Sequence, residues 1–382
     1  VTTVMSLPNQ THAARQSLAH GPLGTALLPI ARARRGTGSW QAVHRQLSAI
    51  GPLVDGDEAS LYLGAPAMAY VLHLAAAGTH RYAGALHTLD TLVAAHTRRR
   101  LAAAHARIDA GRLASFAEYD IFRGLTGIGA LLLRRQPASP EIRGVLAYLV
   151  RLTEPVTGPT GTLLPGWWVG HAPAGDPAAT PGGHANAGMA HGITGPLALL
   201  ALAKRRDITV DGHDDALHRI CHWLDHLRHN DHRGTRWPRW ISAQGAPPAP
   251  PAAPSWCYGT PGLARAQQLA GIALGDADRK RMAERALLFC LSDARQFGQL
   301  TGRGLCHGLG GLLRTVQRVA EDAEAPHLFT TWRHLLRQRY LTAEPPEDTG
   351  FLHGAAGAAL AFRHAEFDAG PAGDWDTCLL LA

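Results

Sequence analysis

Two of the five cysteines sit inside glycine-rich turns. Cys257 lies in SWCYGTPG (255–262) and Cys306 in RGLCHGLGG (303–311), where His307 follows it directly. A cysteine that only fills a core needs neither the glycines nor the histidine. Thiolate and imidazole are ligands that zinc favours, and three protein ligands leave a fourth tetrahedral position open, the pattern of a catalytic rather than a structural site. Adjacent residues on a regular helix diverge by about 100°. Cys306 and His307 can therefore share an ion only if they lie on the turn ahead of the helix. The plainer reading of the same residues is two small buried thiols and a histidine bonded to backbone. Cys221, Cys290 and Cys378 have no such neighbours and read as packing thiols. An odd cysteine count at low density does not describe a disulfide framework.

Other groups able to move protons recur beside similar glycines. His191 precedes Gly192, Asp120 lies four residues before Gly124, and Tyr258 follows Cys257. A histidine with a carboxylate partner can give and take protons near neutrality. His20 and His353 hold the same place in the outermost turns, so a histidine here can also be a simple turn residue.

These residues belong to a repeat. AHGPLGTALL (19–28), YLGAPAMAYV (62–71), FRGLTGIGALLL (122–133), AHGITGPLALL (190–200), CYGTPGLARA (257–266), CHGLGGLLRT (306–315) and LHGAAGAALAF (352–362) share one plan. The turns start near residues 20, 63, 123, 191, 258, 307 and 353, and only the second lacks the following glycine, having Ala67 there. Each turn leads into a run that is apolar almost all round, hence a buried helix. Amphipathic stretches such as 82–102 and 214–227 lie between the turns and predict outer helices. The first and last copies are as apolar as the middle ones, which favours a closed ring over a solenoid with polar ends. The expectation is a single all-α domain over 1–382, an α/α barrel or toroid, with the glycine turns gathered on one rim. Two Pro/Ala/Gly-rich segments, 166–188 and 240–256, read as loops that wall a pocket on that rim.

Composition narrows the classes. Of 382 residues 46 % are apolar and 18 % charged, which provides a large core and argues against disorder. The formal charge of +7 is scattered, without a basic tract interleaved with aromatics, so no nucleic-acid partner is expected. No stretch reads as a signal peptide or an uninterrupted membrane span. The expectation is a cytoplasmic protein with at most peripheral membrane association. An α/α ring acting on sugars or isoprenoids would call for paired rim carboxylates, and Asp120 has no such partner on another turn.

The set YDIFRGLTGIG, NAGMAHGITGP, SWCYGTPG, GLCHGLGG and FLHGAAG resembles the lanthionine synthetase C-like family, the lantibiotic cyclases, over nearly the whole chain (17–362). The resemblance implies a toroid of seven inner and seven outer helices. It also implies one zinc held by Cys257, Cys306 and His307, and active-site roles for His191, Asp120 and Tyr258. The activity implied is closure of thioether rings, by addition of cysteine thiols to dehydroalanine or dehydrobutyrine in a ribosomally made, dehydrated precursor peptide. The first turn begins near residue 17, so no dehydratase domain is expected ahead of it. Dehydration is then expected from a separate partner, with an exporter as a further candidate. One departure stands out. The resemblance leads to an arginine four residues before the first zinc cysteine, and that place is Ala253; Arg236 and Arg239 lie a little upstream. Two alternatives remain at this stage: joining of glutathione to dehydro residues of proteins, and a nonenzymatic peptide-binding scaffold.

Overall fold

The computed structural model describes residues 13–382 apart from 52, 54–55, 77, 159–160, 173–179, 233, 244, 246–252 and 367–373. Helices α1 (Pro22–Thr25) and α2 (Leu27–Arg34) form a first inner segment, and α3 (Trp40–Ser48) packs outside it. The next inner–outer pair is α4 (Gly64–Ala76) with α5 (Ala83–Asp109). Short α6 (Phe116–Tyr119) precedes the third pair, α7 (Leu125–Arg135) with α8 (Pro140–Leu152), and α9 (Thr194–Lys204) with α10 (His213–Leu227) is the fourth. Then come α11 (Thr260–Leu274) with α12 (Ala277–Ser292), short α13 (Ala294–Gly298), α14 (Leu309–Asp322) with α15 (Thr330–Thr342), and the seventh inner helix, α16 (Ala355–Glu366).

Sequence explains which helices are inside. Every residue of α9 from Thr194 to Ala203 is buried, because its leucines and alanines cover the full circumference. The outer helices are one-sided, and three of the six described ones carry side-chain caps. Ser39 accepts from the Ala42 amide, Ser139 from Ile142 and Asp276 from Arg279. Each inner helix packs on the next, and α16 packs on α2, so the ring closes as the repeat led us to expect. Among the described residues there are six outer helices.

A 3-10 segment, Asp374–Leu379, follows α16, and its residues from Trp375 onward are buried. Arg134 of α7, Tyr70 of α4, Trp256 just ahead of α11 and Arg314 of α14 all bond to it. Those elements lie on opposite arcs of the ring, so one segment can touch them all only from the middle. It fills the axis. Its Asp376 is fully buried between Arg314 and Arg318, each 2.7 Å away. Burial alone would raise this carboxyl, but the two guanidinium groups overcome that and hold it far below the usual carboxylate range.

Backbone hydrogen bonds stitch the seven turns into a rim. The Ile121 amide donates to the Ala190 carbonyl (3.2 Å), Met189 and Ala190 to Cys257 (2.9 and 3.2 Å), and Cys257 to Cys306 (3.3 Å). Leu305 and Cys306 donate to Leu352, Phe351 and Leu352 to Ala19, and Leu18 to Tyr62. The remaining seam, between the second and third turns, is made by the Tyr62 and Phe122 rings, 4.5 Å apart. Glycine is required for this close approach. A Cβ on Gly124 would lie 2.1 Å from the Asp120 nitrogen, and one on Gly127 would lie 2.0 Å from the Ile121 oxygen. In the second turn Gly64 has φ +71°, the left-handed region where glycine carries no steric cost.

The two rim segments read as loops are partly strand. β3 (His184–Asn186) pairs antiparallel with β6 (Trp240–Ser242), so 166–188 and 240–256 are tied together over the rim. The Ala187 amide then donates to Arg239 (2.9 Å). Two further hairpins pair β1 (Val156–Thr157) with β2 (Leu163–Leu164), and β4 (His229–Asp231) with β5 (Gly234–Arg236). The middles of both predicted loops, 173–179 and 246–252, lie outside the described residues. Among the described residues no helix is long and apolar enough to cross a membrane.

Candidate metal centre and cavity

The seams put equivalent residues of successive turns side by side. Two places before the glycine stand Ala19, Tyr62, Phe122, Ala190, Cys257, Cys306 and Leu352. One place before it stand His20, Leu63, Arg123, His191, Tyr258, His307 and His353. Cys257 and Cys306 are thus neighbours by register, although 49 residues separate them in the chain. His307 stands on the turn ahead of α14, where the chain is not yet helical and adjacent side chains can converge.

The two Sγ atoms and an imidazole nitrogen of His307 lie within 4.8 Å of one another. Two zinc bonds of about 2.0–2.3 Å together span up to about 4.6 Å. Around one tetrahedral ion such bonds put the donors about 3.3–3.8 Å apart, so side-chain adjustments of up to about 1 Å bring all three onto it, and the donor set has the right chemistry. Both cysteines are buried, while His307 opens to the cavity. The hydrogen bond with the Cys306 thiol, helped by His307 and the Ser255 hydroxyl, outweighs burial and pulls the Cys257 thiol down to about 4. Its thiolate and burial in turn push the Cys306 thiol up. Bonding to Cys257 raises His307. The cluster thus already favours negative charge on sulfur, as a cation site needs.

The same rim encloses a cavity of about 500 Å³ lined by His191, Cys257, Tyr258, Cys306 and His307, among others. Asp120 lies just behind the wall, 1 % exposed. One of its carboxylate oxygens accepts from the Arg123 and Gly124 amides (2.6 and 2.9 Å), and the other is 2.6 Å from His191 Nδ1. An ionised carboxylate there fixes the proton on Nδ1 and leaves Nε2 for the cavity. Phe116 and Phe122 flank the imidazole, with ring centres at 5.8 and 5.0 Å. Tyr258 stands 6.1 Å from His191, ring to ring, and burial pushes its phenol up to about 12, so it remains a donor. His353 packs between the His307 and His20 rings at 4.8 and 5.3 Å, and burial together with those rings pushes it down.

Ala253 also lines the cavity, so a methyl group occupies the place where the resemblance leads to an arginine. Of the two upstream candidates, Arg236 is bound to Asp231 at 2.5 and 2.8 Å, away from the cavity. Arg239 lines it, with its guanidinium carbon 6.0 Å from the centre of the Tyr258 ring. Sequence reading passed over Arg123, Ser255 and Phe122, which also line it. Aligning the seven turns on their first glycine would have found Arg123, since it holds the same place as His191, Tyr258 and His307.

A closed ring of paired helices, with two thiols and an imidazole converging on the cavity that a histidine–aspartate pair also lines, defines an α/α toroid with a candidate metal centre on one rim. The sequence model of the family described as lanthionine synthetase C-like protein matches residues 12–380, and the chain belongs to that family. Its fold is similar to that of nisin cyclase, with a TM-score of 0.80 and 21 % sequence identity over 98 % of this chain and 94 % of that one. Curated protein sequences give no match.

Proposed function

We propose that this toroid is a zinc-dependent lanthipeptide cyclase, which joins cysteine thiols of a dehydrated precursor peptide to dehydroalanine or dehydrobutyrine. The observation that carries the reading is the convergence of Cys257, Cys306 and His307 in the cavity that also holds the His191–Asp120 pair. Family membership and the likeness to nisin cyclase support it.

In the overall reaction the thiol adds across a carbon–carbon double bond. Sulfur bonds to the β-carbon, the π pair moves to the α-carbon and its carbonyl as an enolate, and a proton ends on the α-carbon. No oxidant or reductant is needed. Cys257, Cys306 and His307 would hold the zinc ion. When bound, zinc supplies a positive charge that favours the thiolate form of an incoming cysteine, which near pH 7 is otherwise mostly thiol. Two anionic thiolate ligands keep that charge moderate, so the arriving sulfur stays nucleophilic.

The remaining steps belong to side chains. His191 takes the proton of the incoming thiol on Nε2 and returns it to the α-carbon, while Asp120, accepting from Nδ1, fixes its tautomer and orientation. The backbone amides of Arg123 and Gly124 hold Asp120 in turn. Tyr258 donates a hydrogen bond to the enolate oxygen. The aromatic walls and the β3–β6 strap limit water around the reacting pair. Holding both ends of a short peptide loop replaces a loose encounter with a positioned one, worth several kcal/mol.

The test is a dehydrated, cysteine-containing peptide treated with the protein and then with a thiol-alkylating reagent, read by mass spectrometry. Ring closure leaves mass unchanged, so the expected result is loss of alkylable cysteine. Full alkylation after prolonged incubation with zinc-loaded protein sinks the proposal.

A further inference from the structure

The cavity is electrostatically one-sided. Arg123 and Arg239 both line it, together with four histidines, and no aspartate or glutamate does so among the described residues. Neither guanidinium has a carboxylate partner among the described residues. Elsewhere in the chain Arg107, Arg135, Arg236, Arg279 and Arg318 are each bound to one. Their backbones, by contrast, are fixed. The Arg123 amide donates to Asp120 and its carbonyl accepts from Arg100, while the Arg239 carbonyl accepts from Ala187. Two anchored arginines with free head groups over a half-enclosed cavity make an anion-binding pair, because guanidinium matches carboxylate geometry and a partly dry site weakens water's competition.

Around the rim the order runs Arg123, His191, Tyr258, then the Cys257–Cys306–His307 cluster, then His353 and His20. Arg239 reaches in over Tyr258. By register Arg123 belongs to the turn on one side of His191, and the Arg239 guanidinium stands over Tyr258 of the turn on the other side, so the pair flanks the residue from which the proposed reaction receives its proton.

From this placement we infer that Arg123 and Arg239 recognise a carboxylate of the substrate peptide, an Asp or Glu flanking the dehydro residue rather than the cysteine. The inference rests on the cyclase reading for its choice of peptide. It adds a substrate class: precursor segments with an acidic residue beside the acceptor. The arginines act as specificity residues and take no part in bond making.

The experiment measures binding, so it stands apart from ring closure. Fluorescent peptides carry dehydroalanine and a serine in place of the reacting cysteine, with Glu or Gln next to either position. Anisotropy is measured with the protein as purified. Glu beside dehydroalanine should bind roughly fivefold tighter than Gln, the scale of a partly exposed ion pair. The advantage should shrink as salt rises past about 0.15 M, where charges screen over about 8 Å. Glu beside the serine should bind no better than Gln. In the Arg123→Gln/Arg239→Gln double variant the Glu-to-Gln ratio should fall to near one. In Arg239→Glu a lysine peptide should be preferred, and Arg239→Lys should keep the wild-type order. Equal binding of the Glu and Gln peptides by the wild type overturns the inference. So does a preference that survives in the double variant, or one that is equal at both positions. Failure of ring closure on the matching cysteine-containing peptides, assayed separately, would count against the cyclase reading and leave this binding comparison standing.

Discussion

Replacing Asp120 by Asn tests the proton-handling half of the site. The side chains are nearly the same size, and the asparagine oxygen can still accept from the Arg123 and Gly124 amides, so the turn should keep its shape. The other end changes completely. Where an oxygen now stands 2.6 Å from His191 Nδ1, the variant presents an NH₂ that can only donate. The imidazole must then turn Nδ1 into an acceptor and carry its proton on Nε2, and the doubly protonated ring would face donor to donor. Leaving a buried donor unmatched costs about 1–3 kcal/mol, which is roughly 5- to 150-fold in rate. Losing general acid–base work altogether costs about 10²–10⁴-fold. The expected result is a fall of at least tenfold, and on the order of 10²-fold, in ring closure on a dehydrated peptide, followed by thiol alkylation. Zinc content and melting temperature should be nearly unchanged. His191→Ala should behave alike, and the two losses should not add, because they remove one unit. A wild-type rate in Asp120→Asn, or a slow variant that has also lost its metal, refutes this account of the pair.

Cys306→Ala should take the protein from about one zinc per chain to nearly none by elemental analysis, and metal-free wild-type protein would defeat the ligand assignment. Tyr258→Phe keeps the ring and removes only the phenol, so it should slow ring closure by about 10²-fold if that group serves the enolate oxygen; a loss under about threefold would remove it from the mechanism. Asp376→Asn leaves Arg314 and Arg318 facing each other in the ring axis, and urea unfolding should show a loss of about 3–5 kcal/mol. Because the Asp376 carboxyl is depressed on folding, the stability it gives is fully present above the ordinary carboxylate range and lost as pH falls through the lower folded value. The wild type should therefore lose melting temperature more steeply than Asp376→Asn below about pH 4.

The repeat told most of the architecture in advance. All-round apolar runs after glycine can only be buried helices, amphipathic runs between them can only lie outside, and the similarity of the end copies implied closure. Five of the six candidate residues sit one or two places before the first glycine of a turn and Asp120 four places before, so the repeat itself marked where chemistry-bearing types gather. What the linear pattern did not carry were contacts between segments with no periodicity. β3 and β6 pair across more than fifty residues of chain, and a reading by composition made them loops. The axial segment Asp374–Leu379 carries no repeat signal, and its place depends on partners from four separate inner elements.

The sequence by itself determined the fold class, the register of the turns and which side chains had ligand or acid–base chemistry to offer, because these follow from residue type and local spacing. Only the tertiary structure decided that the Cys257 and Cys306 turns are neighbours, that Asp120 reaches His191, and that Arg239 rather than Arg236 faces the cavity. The physical reason is ring closure. It converts register along the chain into adjacency across seams of backbone hydrogen bonds, and that adjacency exists only once all the helices have packed.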